Sequence, residues 1–195
     1  MKSSPRRGIR IPTPESLGRA ALRYLERYAA SEASLRRVLA NRIRRAAVFH
    51  PAFAADRVRQ GELQAAIDRI AALHKRTGAL NDPALAEMKV ASLRRAGRSA
   101  RAIRQKLALQ GLSKTDVAKA LDAHDAESGD DADRRAARAC ARRRRLGPFR
   151  VPPDDTPERR RKDFAALARA GFASVIIRDI LNLRSGEADD DMFAD

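Results

Sequence analysis

The 195-residue sequence has no tryptophan, two tyrosines, six phenylalanines and a single cysteine. Each scarcity excludes something. With aromatics at 4%, a core must be built from Leu, Ile, Val and Ala, and there are too few rings for base-stacking platforms. Cys140 alone permits no intramolecular disulfide, in keeping with a reducing compartment. His50, His74 and His124 stand far apart, so no zinc-ligand spacing arises and they read as isolated surface residues. No apolar run approaches the roughly 20 residues that span a bilayer. The basic N-terminus lacks the apolar stretch of a secretory signal. No membrane partner is expected, and the reading is cytoplasmic. The phosphate-cradling patterns G-x-x-x-x-G-K-[ST] and G-x-G-x-x-G are missing. Adjacent carboxylates occur at Asp130–Asp131 and Asp189–Asp191, in stretches that read as exposed. A general acid needs a dry pocket to raise its pKa, and nothing there offers one. The sequence therefore predicts a non-enzyme with no cofactor and no metal.

What is abundant is positive charge. Lys and Arg number 41 against 25 acids, giving +16, and arginine greatly outnumbers lysine. A field of that sign attracts polyanions or acidic protein surfaces. The ordinary alternative is a solvated, solubilising face.

The most legible stretch is Leu80–Leu121. Asp82 before Pro83 reads as an N-cap with proline at the first helical position. That helix runs to about Ala96 and stops at Gly97. Ser99 is the expected cap of a second helix carrying Ile103 and Leu107, ended by Gly111 in the left-handed conformation open to glycine. Ser113-x-x-Asp116 reads as a capping box for a third helix with Val117 and Leu121 one turn apart. The pattern returns about sixty residues later. Leu107, Gly111, Leu112, Val117 and Leu121 have counterparts in Leu167, Gly171, Phe172, Ile177 and Leu181 at the same offsets from the glycine. A three-helix unit of about 40 residues is marginal alone, so units must lean on their neighbours.

The rest of the chain fits that unit. A basic tail over 1–13 reads as mobile, and Thr13-Pro14 opens the first repeat, 14–78. Within it, Ser31 caps a helix that continues through Arg45, a turn surrounds Pro51, and a third helix covers about Gly61 to Lys75. The second repeat is 79–124. An acidic, glycine-bearing hinge over 125–133 precedes a third repeat, 134–184, and an acidic tail covers 185–195. No segment shows convincing period-two alternation. The predicted fold is all-α: an elongated, curved array of three tandem three-helix, helix-turn-helix-like repeats.

Basic clusters supply the candidate contact residues. Arg94, Arg98, Arg101 and Arg104 follow helical spacings, and Arg142, Arg143, Arg145 and Arg150 form a second concentration. If nucleic acid is bound, phosphate contact should dominate and sequence should matter little. Ser113–His124 is similar to half of a DNA-reading helix-turn-helix, but its apolar spacing is what the repeat's own core requires. No metal-binding carboxylate set suggests a nuclease.

Several segments, in order, resemble one family. Ala20-Ala21-Leu22-Arg23-Tyr24-Leu25 with Ser31-x-x-Ser34-Leu35-Arg36-Arg37 resembles the opening of the RecX regulatory proteins. Leu80-Asn81-Asp82 resembles their Leu-Asp-Asp turn. Arg101-Ala102-Ile103-Arg104-Gln105-Lys106-Leu107 and Gln110-Gly111-Leu112-Ser113 look like their central helix and glycine turn. Lys162-Asp163-Phe164-Ala165-Ala166-Leu167 with Arg169-Ala170-Gly171-Phe172 resembles their last repeat. The chain departs from the pattern at Ser34, where glutamate is common, at Ala79 and Leu85, where aromatics are common, and across Val48–Gly61, which is longer and lacks the usual glycine before its end. The resemblance implies a regulator, expected to be monomeric, that binds the RecA recombinase filament on single-stranded DNA. It implies inhibition of RecA's ATPase, strand-exchange and co-protease activities, and so a part in recombination, DNA repair and the SOS response. It supplies no catalytic residues. The alternative is a sequence-independent single- or double-stranded DNA-binding protein acting by charge; single-stranded DNA phosphates are a further expected partner.

Overall fold

A computed structural model of the chain describes residues 9–128 and 131–183. Among these residues every regular element is helical. In order they are α1 (Pro14–Leu25), α2 (Glu32–Phe49), α3 (Pro51–Ala55), α4 (Arg57–Arg76), α5 (Asp82–Arg95), α6 (Ala100–Leu109), α7 (Lys114–Ser128), α8 (Ala132–Arg144), a 3₁₀ turn (Gly147–Phe149), α9 (Pro157–Arg169) and α10 (Ser174–Asn182). The all-α fold expected from the sequence is what these elements build.

The caps explain where these helices begin. Thr13 accepts from the Ser16 N–H at 3.2 Å while Ser16 Oγ accepts from the Thr13 N–H at 2.8 Å, a reciprocal box ahead of Pro14. Ser31 and Ser99 cap α2 and α6, accepting from Ser34 N and Ala102 N. Ser113 accepts from Asp116 N at 3.0 Å and donates to Asp116 Oδ2 at 2.7 Å. Two starts differ from the sequence reading. The cap of α5 is Asn81, whose side chain accepts from Ala84 N; Asp82 instead accepts from the backbone of Glu32. The helix expected from Gly61 begins at Arg57, because Asp56 accepts from Arg59 N at 2.9 Å.

By contacts the described chain divides into two units rather than at each repeat boundary. One runs through Leu85 and includes Gln110–Leu112; the other holds Ala86–Leu109 and the chain from Ser113 onward. In the first unit, Leu17, Leu35, Leu39, Ile67 and Phe53 lie in one buried cluster. Full burial of each such side chain contributes about 2 kcal/mol. The mobile tail expected over 1–13 lies in part outside the described residues. From residue 9 the chain is held: Ile9 and Ile11 pack on that cluster, and His50 Nε2 donates to Ile9 O at 2.6 Å. His74, also expected at the surface, is buried on α4.

The second unit contains a cluster of unusual composition. Helix α8 presents Ala136, Ala137, Cys140 and Ala141 to Leu167, Phe172, Ile177 and Ile180. Small residues let backbones approach. Gly97, at φ +66°, sits so close to α8 that a Cβ there would lie 2.8 Å from Cys140 N and 3.0 Å from Ala136 O. The repeat register read from the sequence is also a burial register. Leu107, Leu112, Val117 and Leu121 are buried, as are Leu167, Phe172 and Ile177, with Leu181 half-buried.

Each unit holds the same junction. Ser31 Oγ, besides capping α2, donates to Gln110 O at 2.6 Å, next to Gly111. Ser99 Oγ, besides capping α6, donates to Ala170 O at 2.7 Å, next to Gly171. Both serines are buried, and each hydroxyl has a donor and an acceptor partner. The glycines are required twice over. Both have positive φ, and a Cβ would meet Ala33 Cβ at 2.5 Å or Ser99 Oγ at 2.7 Å. Ser34 adds a second hydroxyl to Gln110 O at 2.9 Å.

Candidate interaction surfaces

The expected contact residues fall into groups that charge counting did not separate. Arg94 is corrected outright. It lies on the inner side of α5, is 6% exposed, and donates to Asp125 at 2.5 Å, to Asp133 and to Arg98 O. Asp133 also accepts from Ala100 N, so one carboxylate caps α6 and holds the arginine. The acids read as a hinge over 125–133 thus have a fixed duty at Asp125 and Asp133; residues 129 and 130 lie outside the described ones. Arg150 is corrected likewise. Its guanidinium donates to both oxygens of the buried Asp163 at 2.8 Å, and Asp163 also accepts from Gly147 N at 2.7 Å. A buried carboxylate needs such partners. The acidic tail read over 185–195 lies outside the described residues.

Arg98, Arg101 and Arg104 are exposed on or just before α6. None of the three has an ion pair among the described residues, and α6 buries Ile103 and Leu107. Arg142 and Arg143 are exposed but engaged. Arg142 lies over the Phe149 ring at 5.5 Å, and Arg143 donates to Ala96 O. Arg145 is exposed with φ +53°, the left-handed residue that ends α8. Leu146 N then donates to Ala141 O, as Arg98 N does to Leu93 O beyond Gly97. Arg145 and Gly97 therefore fill the same place at the ends of α8 and α5.

Sequence reasoning missed an open groove of about 710 Å³ in the first unit. One wall is the segment Ile9–Thr13 with Ser16 and Arg19 of α1. The other is the face of α2 carrying Val38, Asn41, Arg42 and Arg45, at i, i+3, i+4 and i+7. That face adjoins the buried stripe Leu35, Leu39, Ile43 and Ala46. The spacing was readable in the sequence; its opposition to Arg10 and Arg19 was not. No acidic residue lines this groove. Elsewhere on the unit some acids and bases pair: Glu32 with Arg36 and Lys75, and Arg36 also with Asp68. The hydrogen bond from Arg36 holds the Glu32 carboxyl below the usual glutamate range. On the second unit, Arg134 bridges Asp131 at 2.7 Å and Asp179 at 2.6 Å. No group of three or more potential ligands among the described residues could hold a metal ion, and no described helix is long and apolar enough to cross a membrane.

These features can be set beside known proteins. Residues 81–121 match the family described as RecX, second three-helix domain, the span that holds the Asn81 cap, the Gly97 and Gly111 turns and the Ser113 box. The chain is 44% identical over 179 residues to the regulatory protein RecX of Myxococcus xanthus, covering 91% of this chain and 90% of that protein. It is 38% identical over 113 residues to the regulatory protein RecX of Agrobacterium fabrum, covering 57% and 56%. The crystal structure of RecX from Lactobacillus salivarius superposes with a TM-score of 0.60 at 18% identity, over 86% of this chain and 94% of that one, a likeness of fold. With 44% identity over nearly the whole length of a named relative, and an all-α fold shared with a solved RecX structure, the chain belongs to the RecX family of regulatory proteins.

Proposed function

We propose that this chain regulates the RecA recombinase: it binds the RecA filament on single-stranded DNA and inhibits ATP hydrolysis, strand exchange and co-protease activity. By that route it modulates recombination, DNA repair and the SOS response, acting as a cytoplasmic monomer. Membership of a family of regulatory proteins is the starting point. The observation that carries the reading further is the exposed, acid-free row Arg98, Arg101 and Arg104 on a helical repeat. Exposed guanidiniums on a rigid helix complement acidic groups on a protein filament without any folding step, and they steer encounter. Arg145, exposed at the end of α8, belongs to the same class of contact. Arg94 and Arg150 do not, since their charges are neutralised inside the fold.

The test is RecA ATP hydrolysis on single-stranded DNA in excess, with this protein added after filaments form. Inhibition persisting at high DNA is the expected result. The double substitution Arg101→Glu with Arg104→Glu should raise the concentration for half-inhibition at least tenfold while helicity stays constant. Inhibition that vanishes as DNA is raised would favour the second reading, a DNA-binding protein acting by charge, for which the +16 net charge speaks.

A further inference from the structure

The groove between the Ile9–Thr13 segment and α2 brings arginines together from two sides. It gathers four guanidiniums from two walls, Arg10 and Arg19 on one side and Arg42 and Arg45 on the other, with no acid in its lining. All four are exposed. Arg10, Arg42 and Arg45 have no ion-pair partner among the described residues. Arg19 lies close enough to Glu15 to help hold that carboxyl below its usual range, after the Glu15 backbone and Thr13 hydrogen bonds, but Glu15 does not line the groove. Like charges brought together in a concavity raise the local potential and attract a polyanion. The N-terminus of α1 opens onto the same groove through Thr13 and Ser16, and its dipole has the same sign. Asn41 turns its carbonyl oxygen toward Arg44, which leaves its NH₂ group as a further donor.

We propose that this groove binds the sugar–phosphate backbone of single-stranded DNA, as a direct contact of the first unit that does not require RecA. Paired walls of forked donors suit a linear chain of regularly spaced phosphates, each able to accept two N–H bonds. No aromatic residue lines the groove, so bases are not stacked there and sequence is not read. An acidic peptide fits less well. Its carboxylates ride on mobile side chains that must be ordered one by one, and the helical walls offer no unpaired strand edge to pair with its backbone. A groove of about 710 Å³ takes one strand, whereas a duplex meets only its rim.

The experiment is fluorescence anisotropy of the full chain with a labelled oligo(dT), titrated across a range of salt and without RecA. The double substitution Arg42→Gln with Arg45→Gln should weaken binding at least tenfold at 50 mM salt. It should also flatten the plot of log K against log salt by about 1.4, roughly 0.7 per phosphate contact on a single strand. Arg10→Gln with Arg19→Gln, on the opposite wall, should do the same and guards against a local effect on α2. Arg101→Gln with Arg104→Gln serves as the comparison and should change the slope by less than half as much. Equal losses for all three pairs would mean diffuse charge rather than a groove and would overturn the proposal. So would unchanged affinity in both groove variants, or displacement of oligo(dT) by poly-glutamate at equal charge. Because RecA is absent, failure here leaves the regulatory reading standing, and failure of RecA inhibition leaves the groove standing.

Discussion

Arg94 and Arg42 are both arginines on helices of one basic chain, yet they have opposite fates. Arg94 is enclosed and held by Asp125 and Asp133, residues 31 and 39 positions away. Arg42 lies exposed in a groove lined by three more arginines and no acid. The difference teaches that a cluster of positive residues in sequence reports charge density and says little about charge availability. Availability is decided by acids that the fold brings from elsewhere. Arg150 makes the same point through Asp163, and Arg134 through Asp179. The second unit uses several of its arginines as internal fasteners. The groove of the first unit leaves its arginines to face outward.

The comparison breaks most sharply at Arg94. Its replacement by Ala strands Asp125 and Asp133 beside an emptied site, and the stability of the chain should fall by about 3 kcal/mol. Arg104→Ala, an exposed counterpart with no ion pair among the described residues, should stay within about 0.5 kcal/mol. Urea denaturation of both variants measures this directly, and equal losses would remove the distinction. The next effect concerns the two equivalent helix ends. Gly97→Ala combines a positive φ with a Cβ 2.8 Å from the α8 backbone and should cost about 2 kcal/mol or more. Arg145→Gly at the matching place relieves the same backbone conformation and should gain about 1 kcal/mol. Opposite shifts in Tm would confirm that the two ends share one geometry.

The smallest effect belongs to the partly exposed network around Glu32. Its carboxyl is depressed by Arg36, so its share of stability is present above the ordinary glutamate pKa and is lost as pH falls through the lowered value. Glu32→Gln should therefore cost about 0.5 kcal/mol at neutral pH. The difference from the parent should shrink toward zero in acid. A gap that stays constant down to pH 2 would mean that packing, and not charge, is what Glu32 contributes.

Much of this fold was legible because its signals are local. Thr13-Pro14, Ser31, Ser99 and Ser113-x-x-Asp116 each act within one turn, and Gly97, Gly111 and Gly171 each end a helix with their own φ. The repeat offsets around Gly111 and Gly171 were legible because the apolar positions are buried in both, apart from the half-buried Leu181. What escaped was set by distant partners. Asp82 reads as a cap but accepts from Glu32, leaving Asn81 to cap α5. The short helix Pro51–Ala55 has too few residues for a periodic pattern. The interaction surfaces were the least legible. Arg94 and Arg98 look alike in sequence, and only the positions of Asp125 and Asp133 tell them apart. Arg10 and Arg42 belong to one groove only because Ile9 and Ile11 anchor the segment between α1 and the chain's start.

The serine junctions also set an order in time. Ser31 needs the carbonyl of Gln110, 79 residues further on, and Ser99 needs that of Ala170, 71 residues further on. On a ribosome the first serine is made long before its acceptor exists. Until Gln110 emerges, the Ser31 hydroxyl has only its own helix to serve, and the place that Gly111 will fill beside Ala33 stays open to water. The first unit is therefore finished by residues synthesised as part of the next repeat, and the second unit repeats the delay between α6 and the end of α9. A nascent chain stalled before residue 110 should present a cleft where the completed protein has a closed seam, which makes that interval the one in which a chaperone or protease has most to grasp.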